Sequence, residues 1–63
     1  MSNEIMSERK FEDGETVVHD GVRFTIVSAY YNFPSKSKYP GWYYNIDIAY
    51  QRVAEADLTQ VLD

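Results

Sequence analysis

The stretch from Trp42 to Ala49 constrains the fold most, because its residues separate into two faces with a period of two over eight positions. One face carries Trp42, Tyr44, Ile46 and Ile48, and the other carries Tyr43, Asn45, Asp47 and Ala49. This period predicts a β-strand, and aromatic and β-branched residues suit a pleated, half-buried surface. We therefore expect the central strand of a small all-β domain, with the Trp42 face turned inward and the Tyr43 face turned outward.

The length and composition limit what can hold such a domain together. Sixty-three residues make one domain. Without cysteine there is no disulfide and no thiolate metal site, and a single histidine disfavours a closed zinc site. The net charge of −4 weighs against generic binding to nucleic-acid phosphates. We expect a chain without metal or cofactor whose stability depends on a dense aromatic core or on oligomerisation.

Turn signals and alternation divide the chain after residue 10 into five predicted strands. Asp20-Gly21 is the dipeptide of two-residue type I′ hairpins, and blurred alternation near Ser28 predicts a bulge or bend inside a long second strand. A loop with two prolines precedes the central strand. Glu55 to Leu58 is typical of a single 3₁₀ turn, and the last strand is expected to pair with the first. The predicted strands are residues 15–19, 22–31, 42–49, 52–54 and 59–62.

Residues 1–10 are predicted to form a flexible N-terminal arm, because they are polar and offer only Ile5 and Met6 as apolar anchors. The alternative is an arm that orders on a partner. The remaining segment, residues 11–63, is the predicted domain.

The order of these elements resembles the SH3-like small barrels common in bacterial and bacteriophage proteins. The resemblance rests on Gly14-x-x-Val17, Asp20-Gly21-x-x-Phe24-x-Ile26, the aromatic central strand and Val53-x-Glu55-x-x-Leu58-x-x-Val61. It implies five strands that curl into a barrel, with a 3₁₀ turn that packs Leu58 under the core. The Tyr-rich opening motif and long acidic loop of peptide-binding SH3 domains are missing, so the resemblance does not extend to proline-rich ligands.

Residue types that carry catalysis are sparse and scattered. His19 is the lone histidine and lies beside a predicted hairpin turn, where a rim position is expected rather than a general base with a partner. The acidic pairs Glu12/Asp13 and Glu55/Asp57 fall in predicted turns and caps, where carboxylates usually cap or face water. We expect no catalytic residues and a protein that is not an enzyme.

The informative feature for function is an aromatic cluster around a locally basic loop. Exposed tyrosine beside lysine is typical of recognition surfaces, because tyrosine offers large contact area at low entropy cost. Two alternatives are open: the rings pack intramolecularly, or they form a stacking platform for nucleic acid with lysines on the phosphates. The candidate partner-binding residues are Tyr31, Phe33, Lys36, Lys38, Tyr39 and Tyr43.

These observations predict a small cytoplasmic protein-interaction module, either a monomer or a weak homo-oligomer. Small acidic proteins of this kind are typical of phages and other mobile elements, where some dock on a host protein and inhibit it. The alternatives are a nucleic-acid-associated accessory barrel and a subunit of a larger assembly. The segment Val53–Glu55 is either an exposed sheet edge open to strand addition or a protected one.

Overall fold

The computed structural model describes residues 7–61. Most of the predicted arm, residues 1–6, and the predicted strand residue Leu62 lie outside this range. The described residues form an all-β fold with six strands and one 3₁₀ turn, η1. The elements are β1 (Thr16–His19), β2 (Val22–Thr25), β3 (Ser28–Asn32), β4 (Gly41–Asn45), β5 (Val53–Ala54), η1 (Glu55–Asp57) and β6 (Thr59–Gln60).

The first sheet has the order β2-β1-β6, and both of its pairings are antiparallel. The predicted turn between β1 and β2 is confirmed, with positive φ at Asp20 (54°) and Gly21 (79°), as a type I′ hairpin requires. The predicted pairing of the last strand with the first is also confirmed, because Val18 lies opposite Thr59.

The second sheet has the order β3-β4-β5 and is also antiparallel. Its register places Tyr30 opposite Tyr43 and Tyr31 opposite Trp42. Directly opposed residues of an antiparallel pair share one face of the sheet. Tyr31 and Trp42 therefore share one face with the buried Tyr44, and Tyr30 and Tyr43 share the other.

The prediction of five strands in a closed barrel is wrong, because the long second strand is interrupted at Ile26 and Val27. The Ile26 N–H donates to the Glu15 carbonyl at 2.9 Å, on the first sheet's side. The next residue, Val27, donates its N–H to the Asn45 carbonyl at 2.8 Å, beside the second sheet. The backbone thus changes partners within two residues, and the described chain forms two three-stranded sheets.

The central strand is shorter than predicted and ends at Asn45. A turn follows, in which the Ile46 N–H donates to the Tyr50 carbonyl at 3.0 Å. Ile46 is still buried, with 3% of its surface exposed, whereas Ile48 is 92% exposed at the turn. The inward assignment of Ile48 is therefore wrong, since the alternation continues in the sequence after the backbone has left the sheet.

A single cluster of buried apolar side chains contains residues from both sheets and from the connections. Leu58 belongs to it, directly after η1 and with 2% of its surface exposed, which confirms both the predicted 3₁₀ turn and the inward position of Leu58. Half-buried Phe24, Ala29 and Trp42 pack against the cluster. The cluster consists of Phe11, Val17, Ile26, Tyr44, Ile46, Val53 and Leu58.

The segment before β1 is attached to the second sheet by several contacts. Phe11 is almost fully buried, and its ring meets that of Tyr44 edge-on at 5.6 Å. Before it, the Arg9 guanidinium lies 5.6 Å from the Trp42 ring centroid and 5.7 Å from that of Tyr44. The Trp42 indole N–H donates to the Ser7 carbonyl at 2.8 Å. Residues assigned to the arm from position 7 onward thus contact the domain.

Candidate functional site

The outer face of the second sheet presents a pair of stacked tyrosine rings. The centroids of Tyr30 and Tyr43 are 5.7 Å apart, and the ring planes are inclined by only 19°. The Tyr43 hydroxyl donates to the Tyr39 carbonyl at 2.7 Å, so it holds the end of the long loop against this face. The Tyr39 side chain is 73% exposed. We call Tyr30, Tyr39 and Tyr43 the outer tyrosine face.

An open groove of about 540 Å³ adjoins the outer tyrosine face. Asn45 lines this groove and is held in place, because its side-chain NH₂ donates to the Ser28 hydroxyl at 2.8 Å. The Asn45 side-chain oxygen accepts the Arg52 backbone N–H at 3.0 Å. This bond helps to hold Arg52 at φ 58°, in the left-handed region that costs a non-glycine residue energy. The groove is lined by Tyr30, Asn32, Asn45, Gln51 and Arg52.

The loop beside this face is locally basic although the whole chain is acidic. No Asp or Glu occurs between residues 21 and 46. Lys36 and Lys38 are exposed in the loop that ends at the outer tyrosine face, and Arg52 lines the groove. A partner with negative charge is therefore favoured at this face, since complementary potentials steer association.

The six predicted partner-binding residues do not form one surface. Tyr31 and Phe33 meet edge-on at 4.9 Å, and Tyr31 also contacts Trp42 at 5.3 Å on the core-facing side. Tyr43 lies on the opposite side of the same sheet, with Tyr39 beside it. Lys36 and Lys38 remain in the exposed loop.

The sequence reasoning missed Tyr30, Asn45 and Arg52 as members of this site. Tyr30 was not among the candidate residues, because the sequence does not give the register of β3 against β4, and that register places Tyr30 on the face of Tyr43. Arg52 offers no local signal, because its position over the groove depends on the turn after Ile46. The bond between Asn45 and Arg52 spans seven residues and forms only in the folded chain.

A second aromatic cluster lies at the edge of the first sheet. The rings of His19, Phe24 and Tyr50 contact one another at centroid distances of 5.2–6.4 Å. The His19 Nδ1 lies 3.2 Å from the Asp57 carbonyl oxygen. The ring is thus paired with a backbone carbonyl and packed against two aromatic rings.

A buried hydroxyl ties the N-terminal segment to η1. The Tyr44 hydroxyl donates to Glu55 Oε2 at 2.6 Å and accepts the Phe11 N–H at 3.3 Å. The same Glu55 oxygen accepts the Lys10 N–H at 3.2 Å. Burial raises the pKa of Tyr44, and the hydrogen bond to the Glu55 carboxylate raises it further.

The Arg9 guanidinium, which lies beside this hydroxyl, is a second group with a perturbed pKa. Its side chain hydrogen-bonds the Asp13 carboxylate, which raises the pKa of Arg9 above its ordinary value. These groups are engaged in structural contacts. No group of three or more His, Asp or Glu side chains in residues 7–61 is placed to hold a metal ion.

Within the described part of the chain, no helix is long and apolar enough to cross a membrane. Comparison with protein-family models, with curated proteins and with solved structures finds no match. The resemblance to SH3-like barrels therefore stays a prediction from the sequence, and the function must be argued from the surface itself.

Proposed function

We propose that this chain is a non-enzymatic protein-interaction module that binds a protein partner through the outer tyrosine face and the adjoining groove. The stacked pair of Tyr30 and Tyr43 beside an open polar groove is the observation that carries the proposal. Tyrosine is enriched at interface hot spots because it buries a large area while losing little rotamer entropy.

The arrangement supports binding because its parts are ordered before a partner arrives. Tyr43 is held by its stacking with Tyr30 and by its bond to the Tyr39 carbonyl. Asn45 is held by Ser28 and by the Arg52 backbone. Preorganised side chains lower the entropy cost of association. Tyr39, whose side chain is 73% exposed, and Arg52, which lines the groove, add contact area to the two rings.

The charge pattern supports a partner that presents carboxylates. Lys36 and Lys38 are exposed in the loop that ends at the outer tyrosine face, and Arg52 lines the groove. The stretch from Gly21 to Ile46 contains no acid. Arginine pairs with carboxylates in a planar, bidentate geometry, and the adjoining amides of Asn32 and Gln51 can donate or accept. The chain's net charge of −4 disfavours polyanions such as nucleic acid at long range.

Affinity capture from a native lysate, with and without nuclease, tests the proposal when matched variants are used as bait. We expect Tyr30→Ala and Tyr43→Ala to lose a protein that the parent chain retains after nuclease treatment. Tyr50→Ala is the matched control, because Tyr50 is an exposed tyrosine that packs on His19 and Phe24 instead. Each variant must keep the parent's circular dichroism spectrum. Equal capture by Tyr43→Ala and Tyr50→Ala would contradict the proposal.

A nucleic-acid-associated role is the second candidate, and the acid-free loop with Lys36 and Lys38 is the observation that favours it. Bases would stack on the tyrosine rings while lysines meet phosphates. This role predicts capture that nuclease abolishes, affinity that falls steeply with salt, and loss of binding in a variant with Lys36→Glu and Lys38→Glu. Capture that is insensitive to nuclease and salt excludes it.

The cellular setting of the module remains a prediction from composition. We propose a cytoplasmic protein of a phage or another mobile element that docks on a host protein and modulates it. Identification of the captured protein, followed by an assay of its activity with and without the module, tests this role. A captured protein whose activity does not change on saturation would exclude inhibition while leaving the interaction itself intact.

A further inference from the structure

The strand β3 lies at an edge of the second sheet and lacks the usual sequence features that prevent further pairing. The sheet order β3-β4-β5 leaves one side of β3 without a strand partner among the described residues. Its five residues, Ser28–Asn32, contain neither a proline nor a charge. Natural edge strands are usually kept from pairing by brevity, proline, charge or a bulge.

The other three edges of the two sheets differ from β3 in these respects. The strand β2 carries Arg23, and β5 and β6 are each only two residues long. The segment beginning at Val53, considered from the sequence as an open edge, is therefore much shorter than the edge at β3. An additional strand would gain the most backbone hydrogen bonds at β3.

We propose that β3 pairs antiparallel with β3 of a second copy of this chain, across a two-fold axis near Tyr30. A two-fold axis makes such a contact self-complementary. Centred on Tyr30, it sets Tyr30 opposite Tyr30 of the second copy, Ser28 opposite Asn32, and Ala29 opposite Tyr31. No charged side chain faces a like charge within this ladder, because Ser28–Asn32 is uncharged.

The outer face of the paired sheets would carry a continuous row of rings. Tyr30 already stacks on Tyr43 within one copy, and opposed residues of antiparallel strands lie about 4.5–5.5 Å apart. The row would run from Tyr43 through both Tyr30 rings to Tyr43 of the second copy. Edge pairing leaves both sheet faces open, so this inference goes beyond the proposed function and does not depend on it.

The same two-fold axis accounts for the exposed aliphatic residues at one end of β3. Val27 is 67% exposed and Ile48 is 92% exposed, and both line a cleft with Asp47. Antiparallel pairing places the Phe33 end of one strand beside the Val27 end of the other. Pro34 of the second copy would then lie beside Val27, while Lys36 and Lys38 of its loop approach Asp47, so that charge is complementary at this end of the ladder.

The oligomeric state of the full chain, measured by sedimentation equilibrium from micromolar to millimolar concentration, tests this pairing. We expect a reversible dimer for the parent chain. Tyr30→Lys places two like charges opposite each other across the axis, and we expect it to abolish the dimer over the same range. Tyr43→Lys is the matched control, because it adds the same charge to the same face on the inner strand β4; this variant should remain dimeric.

Disulfide cross-linking tests the same pairing without introducing a charged side chain. The chain has no cysteine, so Tyr30→Cys introduces one thiol that would meet its own copy at a distance compatible with a disulfide. Under mild oxidation we expect a covalent dimer from Tyr30→Cys and none from Thr25→Cys, on the other edge strand β2. A strictly monomeric parent at millimolar concentration, or a dimer that both lysine variants preserve, would overturn the proposal.

Discussion

Replacing Tyr44 with phenylalanine removes one hydroxyl from the most interconnected buried position of the chain. The ring stays, so the cavity cost that accompanies large-to-small substitutions is avoided. Two hydrogen bonds are lost, one to Glu55 Oε2 at 2.6 Å and one from the Phe11 N–H at 3.3 Å. Phe11 is 1% exposed, so water cannot readily take over its N–H.

The size of the effect follows from these two bonds. An unsatisfied buried donor costs about 1–3 kcal/mol, and a bond to a charged acceptor contributes about 1.5–3 kcal/mol. Glu55 is only half-buried and regains water, so we expect a net loss of about 2–3 kcal/mol. A chain of this length has a total stability of roughly 3–9 kcal/mol, so the variant would lose a large fraction. Its melting temperature should fall by about 8–24 °C.

Thermal and urea unfolding, followed by circular dichroism and by the fluorescence of Trp42, measures this loss. Trp42 is the single tryptophan and bonds to Ser7, so its emission also reports whether the N-terminal segment stays attached. Tyr39→Phe is the control, since that side chain is 73% exposed and surface changes usually stay within about 0.5 kcal/mol. Equal stability of the two variants would refute the reasoning.

The remaining predictions concern pH, burial and the Arg9 contacts. The pKa of Tyr44 is raised above its ordinary 10.0. The contribution of its hydroxyl to folding stability is therefore full below pH 10 and is lost as the pH rises through the raised pKa. The stability gap between the parent and Tyr44→Phe should therefore shrink above pH 10 in urea titrations, and a constant gap would contradict this. Ile46→Ala should lower the free energy of unfolding by about 2–5 kcal/mol, whereas Ile48→Ala should change it by less than about 0.5 kcal/mol. Equal losses in urea unfolding would mean that Ile48 is also buried. Arg9→Ala should lower the free energy of unfolding by about 1 kcal/mol, because the guanidinium loses its contacts with the Trp42 and Tyr44 rings. Asp13→Asn should lower it by less than about 0.5 kcal/mol, because exposed ion pairs contribute little. If thermal melts show the larger loss for Asp13→Asn, the ion pair rather than the ring contacts stabilises the fold.

The parts of the fold predicted correctly from the sequence are those set by local chemistry. Asp20-Gly21 suits a turn that needs two positive φ values. The inward orientation of the Tyr44 side chain followed from the alternation of residues within one strand. The single 3₁₀ turn that begins at Glu55 followed from the local sequence, and the inward position of Leu58 was implied by the resemblance to SH3-like barrels. Apart from that resemblance, each of these signals lies within a few residues of the feature it predicts.

The candidate site was predicted only in part, because its membership depends on register between strands. Alternation correctly separates Tyr30 from Tyr31, but it does not say which of them shares a face with Tyr43. The pairing of Tyr30 with Tyr43 decides this, and a shift by one residue would have exchanged the two faces. The aromatic composition of the site was thus visible in the sequence, whereas its assembly into one surface was not.

The sequence by itself determined the all-β class, the hairpin turn and the inward phase of the strand through Tyr44, because backbone propensity and a period of two act over neighbouring residues. Only the tertiary structure decided where strands end. Ile26 bonds toward the first sheet and Val27 toward the second, so one predicted strand becomes two. Ile48 keeps the alternating pattern but is exposed, because side-chain burial depends on the sheet the backbone belongs to.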